Sequence, residues 1–320
     1  MTGQSESLTV GAIQVESRNR DIEGNLARAL PLVEEAAGKG ATLICLPEFL
    51  PSGYIFDETA WEAAEPADGP TMRWLAEHAK RLNVTIGTSF LEAAGDGFKN
   101  AFVLMGPDRE YGRVYKQDVA LFENFFNEDQ AGPHVIQTPF ARVGVGICYE
   151  NLRAFLSRLL VENDADILLQ PHSCPGPADF APGWIKRMQD DLIRDTAVRY
   201  ARGLGIPALF VNKRGPFDTT TPMFPYLRYR APFQGFTSIA DSDGSLLSQV
   251  EKEQAVLVET VHLDPSRKTR RRLDANGNWA VRLPGIARWY MEFVGRRGRA
   301  SYAKNPRRIA AARRAAGKAP

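Results

Sequence analysis

Three reactive side chains, a carboxylate, an ammonium and a thiol, each follow a predicted strand at separate points of the chain. Glu48 comes after the apolar run ATLICLP, Lys116 after GRVY, and Cys148 at the end of VGVGI. In an open α/β sheet, residues at the carboxyl ends of strands face a shared crevice. A carboxylate can remove the proton of a thiol, and an ammonium can stabilise negative charge on a reacting carbonyl or nitrile. The pattern predicts that Cys148 is a nucleophile.

The other candidates for this chemistry are fewer and weaker. A cysteine nucleophile usually pairs with histidine, and of four histidines only His172 lies near a predicted strand end. Its pairing with Cys148 in a papain-like arrangement is the alternative, but we expect the base to be a carboxylate. Cys45, inside TLICL, is predicted to pack in the core, and Cys174 lies in a loop that could line a pocket.

No cofactor is expected from the sequence. The histidines do not fall at metal-ligand spacing, and the chain has no CxxC motif. The glycines of GVG and GLG lack the rest of a phosphate-binding fingerprint. We therefore predict neither a metal site nor an organic cofactor.

The composition is that of a globular protein. The chain has 320 residues, of which 44% are hydrophobic, and three cysteines, too few for a disulfide framework. The N-terminus, MTGQSESLTV, lacks the features of a signal peptide, and no apolar run approaches the roughly 20 residues of a membrane helix. These features predict a cytoplasmic protein without a membrane partner.

The positive charge is concentrated at the C-terminus. Residues 296–320 hold nine Lys/Arg and no acid, which leaves 31 basic and 38 acidic residues, a net charge of −7, in residues 1–295. We predict a main domain over 1–295 and a basic extension over 296–320, partly helical, that lies at a subunit interface or is disordered. A nucleic-acid partner for this extension is the less favoured interpretation, because the acidic body carries no nucleic-acid motif.

The elements that must position these residues alternate between strand and helix. Apolar runs predict strands, 3.6-residue periodicity predicts helices, and Gly-Pro-Asp within 101–116 predicts a hairpin. Alternation with tandem hairpins favours an α/β chain with mixed rather than purely parallel sheets. Predicted strands cover 8–15, 41–50, 84–93, 143–148 and 165–171, with further strands in PALFVNKRG, GFTSIADSDGSLLSQV and AVLVETVHL; helices cover 25–40, 71–83, LRAFLSRLLVEN and 184–205.

The chain order of glutamate, lysine and cysteine resembles the carbon–nitrogen hydrolase (nitrilase) superfamily over residues 8–265. The resemblance implies a four-layer αββα sandwich with two mixed sheets between outer helices. It also implies a homodimer or a higher homo-oligomer. The segments that carry it are LPEFLPSGY (46–54), GRVYKQ (112–117), VGVGICYEN (143–151), ARGLGIPALFVNKRG (201–215) and FTSIADSDG (236–244).

The resemblance also implies roles for the reactive residues. Cys148 would attack the substrate carbon and form an acyl-thioenzyme, with Glu48 as the base and acid. Lys116 and the backbone N–H of Tyr149 would stabilise the negative charge that builds on the substrate heteroatom.

A second glutamate is expected to hold the lysine. Glu123, seven residues after Lys116, matches the family position better than its rival, Glu128. The chain departs from many family amidases at Asp118, where they have histidine, so the surroundings of the lysine are less defined than the lysine itself.

The substrate is predicted from the residues near the cysteine. Cys148 is followed by an amidase-like tyrosine and then by a nitrilase-like Glu150-Asn151, whereas FVNKRG looks more amidase-like. These motifs favour a small amide or N-carbamoyl amide, with a nitrile as the alternative.

Aromatic residues are predicted to line the substrate pocket. Tyr54, Phe56, His172 and Phe217 are the candidates, and the expected acyl pocket is partly apolar. An inactive relative that serves as a binding module is the remaining interpretation, and the presence of Glu48, Lys116 and Cys148 together argues against it.

Overall fold

The computed structural model describes residues 6–179 and 181–318. The strands are β1 (Glu6–Gln14), β2 (Leu43–Cys45), β3 (Thr85–Ala94), β4 (Gly97–Met105), β5 (Glu110–Tyr115), β6 (Val135–Gln137), β7 (Arg142–Val145), β8 (Ile167–Pro171), β9 (Ala208–Val211), β10 (Pro216–Thr221), β11 (Phe224–Pro232), β12 (Ser238–Ala240), β13 (Leu246–Gln249) and β14 (Ala255–Leu263). The helices are α1 (Ile22–Gly38), α2 (Pro70–Leu82), α3 (Ala154–Glu162), α4 (Gly183–Arg194), α5 (Thr196–Leu204), α6 (Gly285–Lys304) and α7 (Arg308–Ala315).

The first sheet has six strands in the order β14-β1-β2-β3-β4-β5. β1, β2 and β3 are parallel, with Val10 opposite Leu43, while β14, β4 and β5 pair antiparallel with their neighbours. The chain leaves this sheet after β2 just before Glu48 and after β5 at Lys116. Two of the predicted catalytic residues therefore come from one sheet.

The second sheet repeats this plan in the order β13-β12-β9-β8-β7-β6. β7, β8 and β9 are parallel, with Leu169 opposite Leu209, and the outer strands are antiparallel. Cys148 follows β7 and His172 follows β8, so the second sheet supplies the thiol.

Three apolar clusters show how the layers pack. The first lies between the sheets and includes Leu43 and Cys45, whereas Ile44, on the opposite face of β2, packs in a second cluster with residues of α1 and α2. The third cluster packs Leu156 of α3 and Tyr200 of α5 against the second sheet. Alternate side chains of a strand face opposite sides of its sheet, so both sheets are covered on both faces. The predicted αββα fold with two mixed sheets is confirmed.

The helix predicted over 184–205 is wrong in its continuity. It is divided at Asp195, which ends α4 and precedes α5. The two halves pack differently. α5 buries an apolar face against the second sheet, whereas Ile193 is the one buried residue of α4.

The hairpin of β10 and β11 was not predicted, since its Thr- and Arg-rich strands lack an apolar alternation.

The C-terminal segment folds back over the body. α6 runs through the predicted boundary between residues 295 and 296, and α7 packs against β3, β4 and the 3-10 helix Glu58–Ala63. Its basic residues form ion pairs with acidic residues of the body. These pairs are Arg307–Glu58 at 2.9 Å, Arg308–Glu128 at 3.5 Å, Arg313–Asp96 at 3.1 Å and Arg299–Asp129 at 3.6 Å.

α6 also packs against the 3-10 helix Leu121–Phe125. Gly298 permits this close approach, because a Cβ there would lie 2.6 Å from the Asn124 side chain. Arg299 adds a 3.0 Å hydrogen bond to the Asn124 Oδ1 atom. The C-terminal helix therefore supports the turn that carries Glu123. Within residues 6–179 and 181–318, no helix combines the length and apolar character needed to cross a membrane.

Candidate active site

Glu48 is held by three hydrogen bonds in the interior. Its Oε1 atom accepts from Lys116 Nζ at 2.7 Å and from Asn100 Nδ2 at 2.8 Å, and its Oε2 atom accepts from Ser173 N at 2.9 Å. The side chain is fully buried. Because a carboxylate with these donors has one fixed orientation, it is suited to receive and return a proton at one place.

Lys116 lies between two buried carboxylates. Its Nζ atom is 2.7 Å from Glu48 Oε1 and 2.9 Å from both oxygens of Glu123. Tyr54 donates a 2.7 Å hydrogen bond to Glu123 Oε1. Glu128 instead pairs with Arg308, so Glu123 is the glutamate that contacts the lysine.

The pKa values of Lys116 and Glu123 depend on the charges of the side chains around them. Burial opposes the charge of Lys116, but the carboxylates of Glu123 and Glu48 outweigh it and hold the pKa of Lys116 above its usual value. Burial raises the pKa of Glu123 to about 7, against the lowering effect of Lys116. Lys116 is therefore a fixed cation at neutral pH, as charge stabilisation requires.

Cys148 occupies a constrained turn directly after β7. It begins the 3-10 helix Cys148–Leu152 and has φ +51°, in the left-handed region that non-glycine residues rarely adopt. Asn151 Nδ2 donates to the carbonyl oxygens of Gly146 at 2.6 Å and Cys148 at 3.0 Å. Gln170 Nε2 in turn donates to Asn151 Oδ1 at 2.6 Å. Asn151 therefore holds the turn that points the thiol.

Glu150 connects the cysteine turn to the lysine loop. Its Oε2 atom accepts from Ile147 N at 2.9 Å, and its Oε1 atom accepts from Gln117 N at 2.7 Å. His134 Nε2 lies 3.0 Å from the same Oε1 atom. Glu150 and Asn151 were read from the sequence as a nitrilase-like substrate signal, but here both side chains bind backbone groups around the nucleophile.

Cys148 is buried close to the charged side chains of Glu48, Lys116 and Glu123. Burial, and then the charge of Glu48, raise the pKa of the Cys148 thiol, while Lys116 opposes the shift. The thiol is therefore protonated at neutral pH in the free protein. Ionisation of the thiol would require a proton acceptor, and the Glu48 carboxylate lies close enough for its charge to raise the pKa of the thiol.

The backbone N–H of Tyr149 follows the nucleophile. Within the described residues it has no hydrogen-bond partner, unlike the N–H groups of Ile147 and Glu150. The Tyr149 ring packs edge-on against Trp279, with 5.8 Å between centroids. Asp118, at the position where the resemblance leads to histidine, pairs with Arg153 at 2.6 Å.

A cavity of about 250 Å³ opens at Cys148. Tyr54, Phe56 and His172 line it, as predicted for substrate contacts, and so does Cys174. The remaining predicted contact, Phe217, does not line it. Its ring packs behind the wall, 5.6 Å from the Tyr54 centroid, because β10 places it within an aromatic cluster. Cys45, predicted to be structural, lies in the core between the sheets.

Three further residues at the site were missed from the sequence. Asn100 and Ser173 bind the Glu48 carboxylate, and Lys213 donates a 2.8 Å hydrogen bond to the carbonyl of Phe49, which has φ +49°. Ser173 and Lys213 follow β8 and β9, so their places at strand ends were an available signal. Asn100 is in the middle of β4, where nothing in the sequence marks it. In the described parts of the chain, no cluster of three or more His, Cys, Asp and Glu residues could hold a metal ion.

Comparison with known proteins agrees with this geometry. The family model for carbon–nitrogen hydrolases matches residues 9–271. The chain belongs to this family. It is 28% identical over 285 residues to an N-carbamoylputrescine amidase of Arabidopsis thaliana, covering 84% of this chain and 91% of the relative. It is 32% identical over 174 residues to an omega-amidase of Danio rerio, covering 49% of this chain and 61% of the relative.

A solved structure supports the same fold. A carbon–nitrogen hydrolase from Helicobacter pylori G27 superposes with a TM-score of 0.67 at 19% identity, over 82% of this chain and 90% of that one. The family match over residues 9–271 confirms the resemblance inferred from the sequence. The expectation of an amidase-type hydrolase of carbon–nitrogen bonds is confirmed as well, and it fits these relatives better than the nitrile alternative.

Proposed function

We propose that this enzyme hydrolyses the C–N bond of small amides, with N-carbamoyl amides among them, through an acyl-thioenzyme on Cys148. The observation that carries this proposal is the position of Lys116 between Glu48 and Glu123, 2.7 and 2.9 Å from their oxygens, beside a buried thiol. A base, a fixed cation and a nucleophile are the groups that acyl transfer from nitrogen needs.

The first half of the reaction would form the thioester. Glu48 takes the thiol proton as the Cys148 sulfur attacks the carbonyl carbon. The oxygen becomes negative, and Lys116 and the Tyr149 N–H are the donors available to stabilise it. Glu48 then gives its proton to the departing nitrogen, the C–N bond breaks, and ammonia or an amine leaves.

The second half would release the acid. Glu48 takes a proton from water, and the oxygen of that water attacks the thioester carbon. The C–S bond breaks, the sulfur regains a proton from Glu48, and a carboxylic acid leaves. Glu123 acts through Lys116, because its two oxygens fix the position of the ammonium.

Two active-site variants and one control test the proposal. Cys148→Ala or Glu48→Gln should reduce turnover to background with the fold intact, since removing one member of an interdependent unit loses most of its chemistry. Cys45→Ala, which changes a cysteine outside the site, should keep nearly full turnover. The assay is release of ammonia, with circular dichroism as the check of folding. Wild-type activity in Cys148→Ala would refute the mechanism.

The nitrile alternative requires a separate measurement. We expect acid and ammonia from short amides, amine, carbon dioxide and ammonia from ureido compounds, and slower or no conversion of the corresponding nitriles. Detection of acid from a nitrile at a rate above that of its amide would reverse the assignment. Mass spectrometry of an acyl adduct on Cys148 would exclude an inactive binding module.

We also propose a homo-oligomer located in the cytoplasm. Support for the oligomer comes from large apolar side chains exposed on α4 and α6, namely Trp184 (59% exposed), Ile286 (72%) and Trp289 (56%). Support for the location comes from three cysteines without disulfides. Light scattering should give a mass of at least two chains, and Trp289→Glu should lower it; a wild-type monomer would contradict the oligomer.

A further inference from the structure

The wall of the cavity at Cys148 is uncharged. Among the described residues that line it, no Asp, Glu, Lys or Arg is present. Glu48, Lys116 and Glu123 lie behind the surface with no exposure of their side chains. The wall beyond the thiol is mainly aliphatic and aromatic: Tyr54, Phe56, Ala120, Leu121, Phe122, Tyr149, Leu152, Pro175, Met188, Leu192, Ile193, Tyr229, Leu283, Ala287, Tyr290 and Met291.

Most hydroxyl and amide groups of the wall already have partners within the protein. Tyr229 donates to the Gly176 carbonyl at 2.9 Å, and Thr196 donates to the Leu192 carbonyl at 3.0 Å. Gln189 Nε2 lies 3.0 Å from the Pro175 carbonyl. Tyr54 donates to Glu123, and Ser173 donates to the Glu48 carbonyl. The hydroxyls of Tyr149 and Tyr290 are the exceptions among the described residues of the wall. A charged group on a substrate would therefore find few free partners here.

His172, the histidine in the cavity wall, adds no charge to it. His172 Nδ1 lies 2.9 Å from the Gln170 carbonyl, which can only accept, so Nδ1 carries the proton. Burial lowers the pKa of His172 to about 4. At neutral pH the imidazole is therefore uncharged, and its Nε2 atom is an acceptor suited to the N–H of an amide rather than to a carboxylate.

Two arginines that contact lining residues of the cavity are directed elsewhere. Arg153 pairs with Asp118 at 2.6 Å and lies over the Trp279 ring, 4.4 Å from its centroid. Arg199 donates to the Leu192 carbonyl and to Thr196 Oγ1, both at 3.5 Å, and lines a neighbouring cavity. Neither guanidinium lines the cavity at Cys148. An anionic end group would have no positive partner within it.

One side of the cavity comes from the C-terminal part of the chain. The α6 residues Ala287, Tyr290 and Met291 follow helical spacing, so they lie on one face of the helix, and Leu283 lies just before its start. All four are beyond residue 271, where the match to the family model ends. The apolar wall is therefore partly built by a segment outside the family match.

We infer that the cavity selects amides whose acyl group is apolar and uncharged, and that the α6 face sets this selectivity. The inference rests on the proposed amide hydrolysis at Cys148 and names its substrate class. Apolar groups gain free energy when they leave water for such a wall, whereas an unpaired charge loses its hydration without compensation. Carboxylate- and ammonium-bearing amides should therefore react poorly.

Matched pairs of substrates isolate the effect of charge. In 5-methylhexanamide an isopropyl group replaces the carboxylate of 5-amino-5-oxopentanoate, and in heptanamide a methyl group replaces the ammonium of 6-aminohexanamide. We expect kcat/KM to be at least about a hundredfold higher for the uncharged member of each pair, because burying an unpaired charge is costly. Equal values within a pair would overturn the inference.

A pair of variants tests the role of α6. Met291→Lys places a cation on the wall, and Ser301→Lys places the same cation at an exposed position of α6 that does not line the cavity. Met291→Lys should lower kcat/KM for 5-methylhexanamide about tenfold or more and raise it for 5-amino-5-oxopentanoate, because the new ammonium can pair with the carboxylate. Ser301→Lys should stay within about threefold of wild type for both substrates, because position 301 is exposed and does not line the cavity. An unchanged preference in Met291→Lys, with its folding confirmed by circular dichroism, would remove α6 from the argument.

Acetamide separates failure of this inference from failure of the proposed function. Its acyl group carries a single methyl and has no chain to contact the α6 face, so wild type and Ser301→Lys should hydrolyse it at similar rates. If neither acetamide nor any other amide is hydrolysed, the proposed function fails. If acetamide is hydrolysed but charged and uncharged partners react equally, only the selectivity is wrong.

Discussion

Replacing Asn151 by alanine should loosen the turn that carries the nucleophile. The change removes three buried hydrogen bonds, those from Nδ2 to the carbonyls of Gly146 and Cys148 and the one from Gln170 to Oδ1. At about 1 kcal/mol for each bond, the free energy of unfolding should fall by about 3 kcal/mol. Cys148 would then lose the support of its left-handed backbone, and a displacement of about 1 Å at a reacting atom costs on the order of a hundredfold in rate.

Urea unfolding followed by fluorescence measures the stability, and kcat for an amide measures the rate. Asn163→Ala is the matched control, because that asparagine makes one exposed hydrogen bond, 2.8 Å from Nδ2 to the Leu159 carbonyl. The free energy of unfolding of Asn163→Ala should be lower than that of wild type by less than about 1 kcal/mol, and its kcat should be unchanged. If Asn151→Ala matched wild type in both measurements, its hydrogen bonds would not be what holds the turn, and the structural account of Glu150-Asn151 would fail.

Two further predictions concern titratable groups. Glu123→Gln should lower kcat at least about tenfold, because Lys116 loses a charged partner at 2.9 Å. Glu128→Gln changes a glutamate that pairs with an arginine at the surface, so it should leave kcat nearly unchanged. Steady-state kinetics that gave the same kcat for both variants would contradict the assignment of Glu123. The pKa of His172, lowered by burial to about 4, means that the folded protein binds fewer protons than the unfolded chain between pH 6.5 and 4, so stability falls as pH falls through this range. Between pH 6.5 and pH 4, the free energy of unfolding of the wild type, measured with urea, should fall by roughly 3 kcal/mol more than that of His172→Gln. If the free energies of unfolding of the two proteins changed in parallel with pH, this histidine would not be buried in its neutral form.

The sequence predicted the positions of the three residues proposed to be catalytic because each follows a strand. Apolar runs before Glu48, Lys116 and Cys148 made their places at strand ends visible, and parallel strands bring such ends together. The choice of Glu123 over Glu128 agrees with the contacts, although spacing from Lys116 alone left both possible.

The residues that escaped prediction act through long-range contacts. Asn100 reaches Glu48 only because β4 pairs beside β3, and no local pattern reports that register. The break at Asp195 has the same origin, since helical periodicity continues through it and tertiary packing alone divides α4 from α5. The aromatic count suggested Phe217 as a pocket residue, but residue type does not tell which side of a wall a ring occupies.

The residues proposed to react with the substrate and the helix α6, which we infer selects the substrate, lie in different parts of the chain. The groups proposed to carry the reaction lie between residues 48 and 149, whereas the segment that shapes the acyl cavity begins at residue 283. Within that segment, the residues that line the cavity differ from Gly298 and Arg299, which contact Asn124 beside Glu123. For protein engineers, a library confined to Leu283, Ala287, Tyr290 and Met291 would therefore explore new specificities while keeping the contacts that support Glu123.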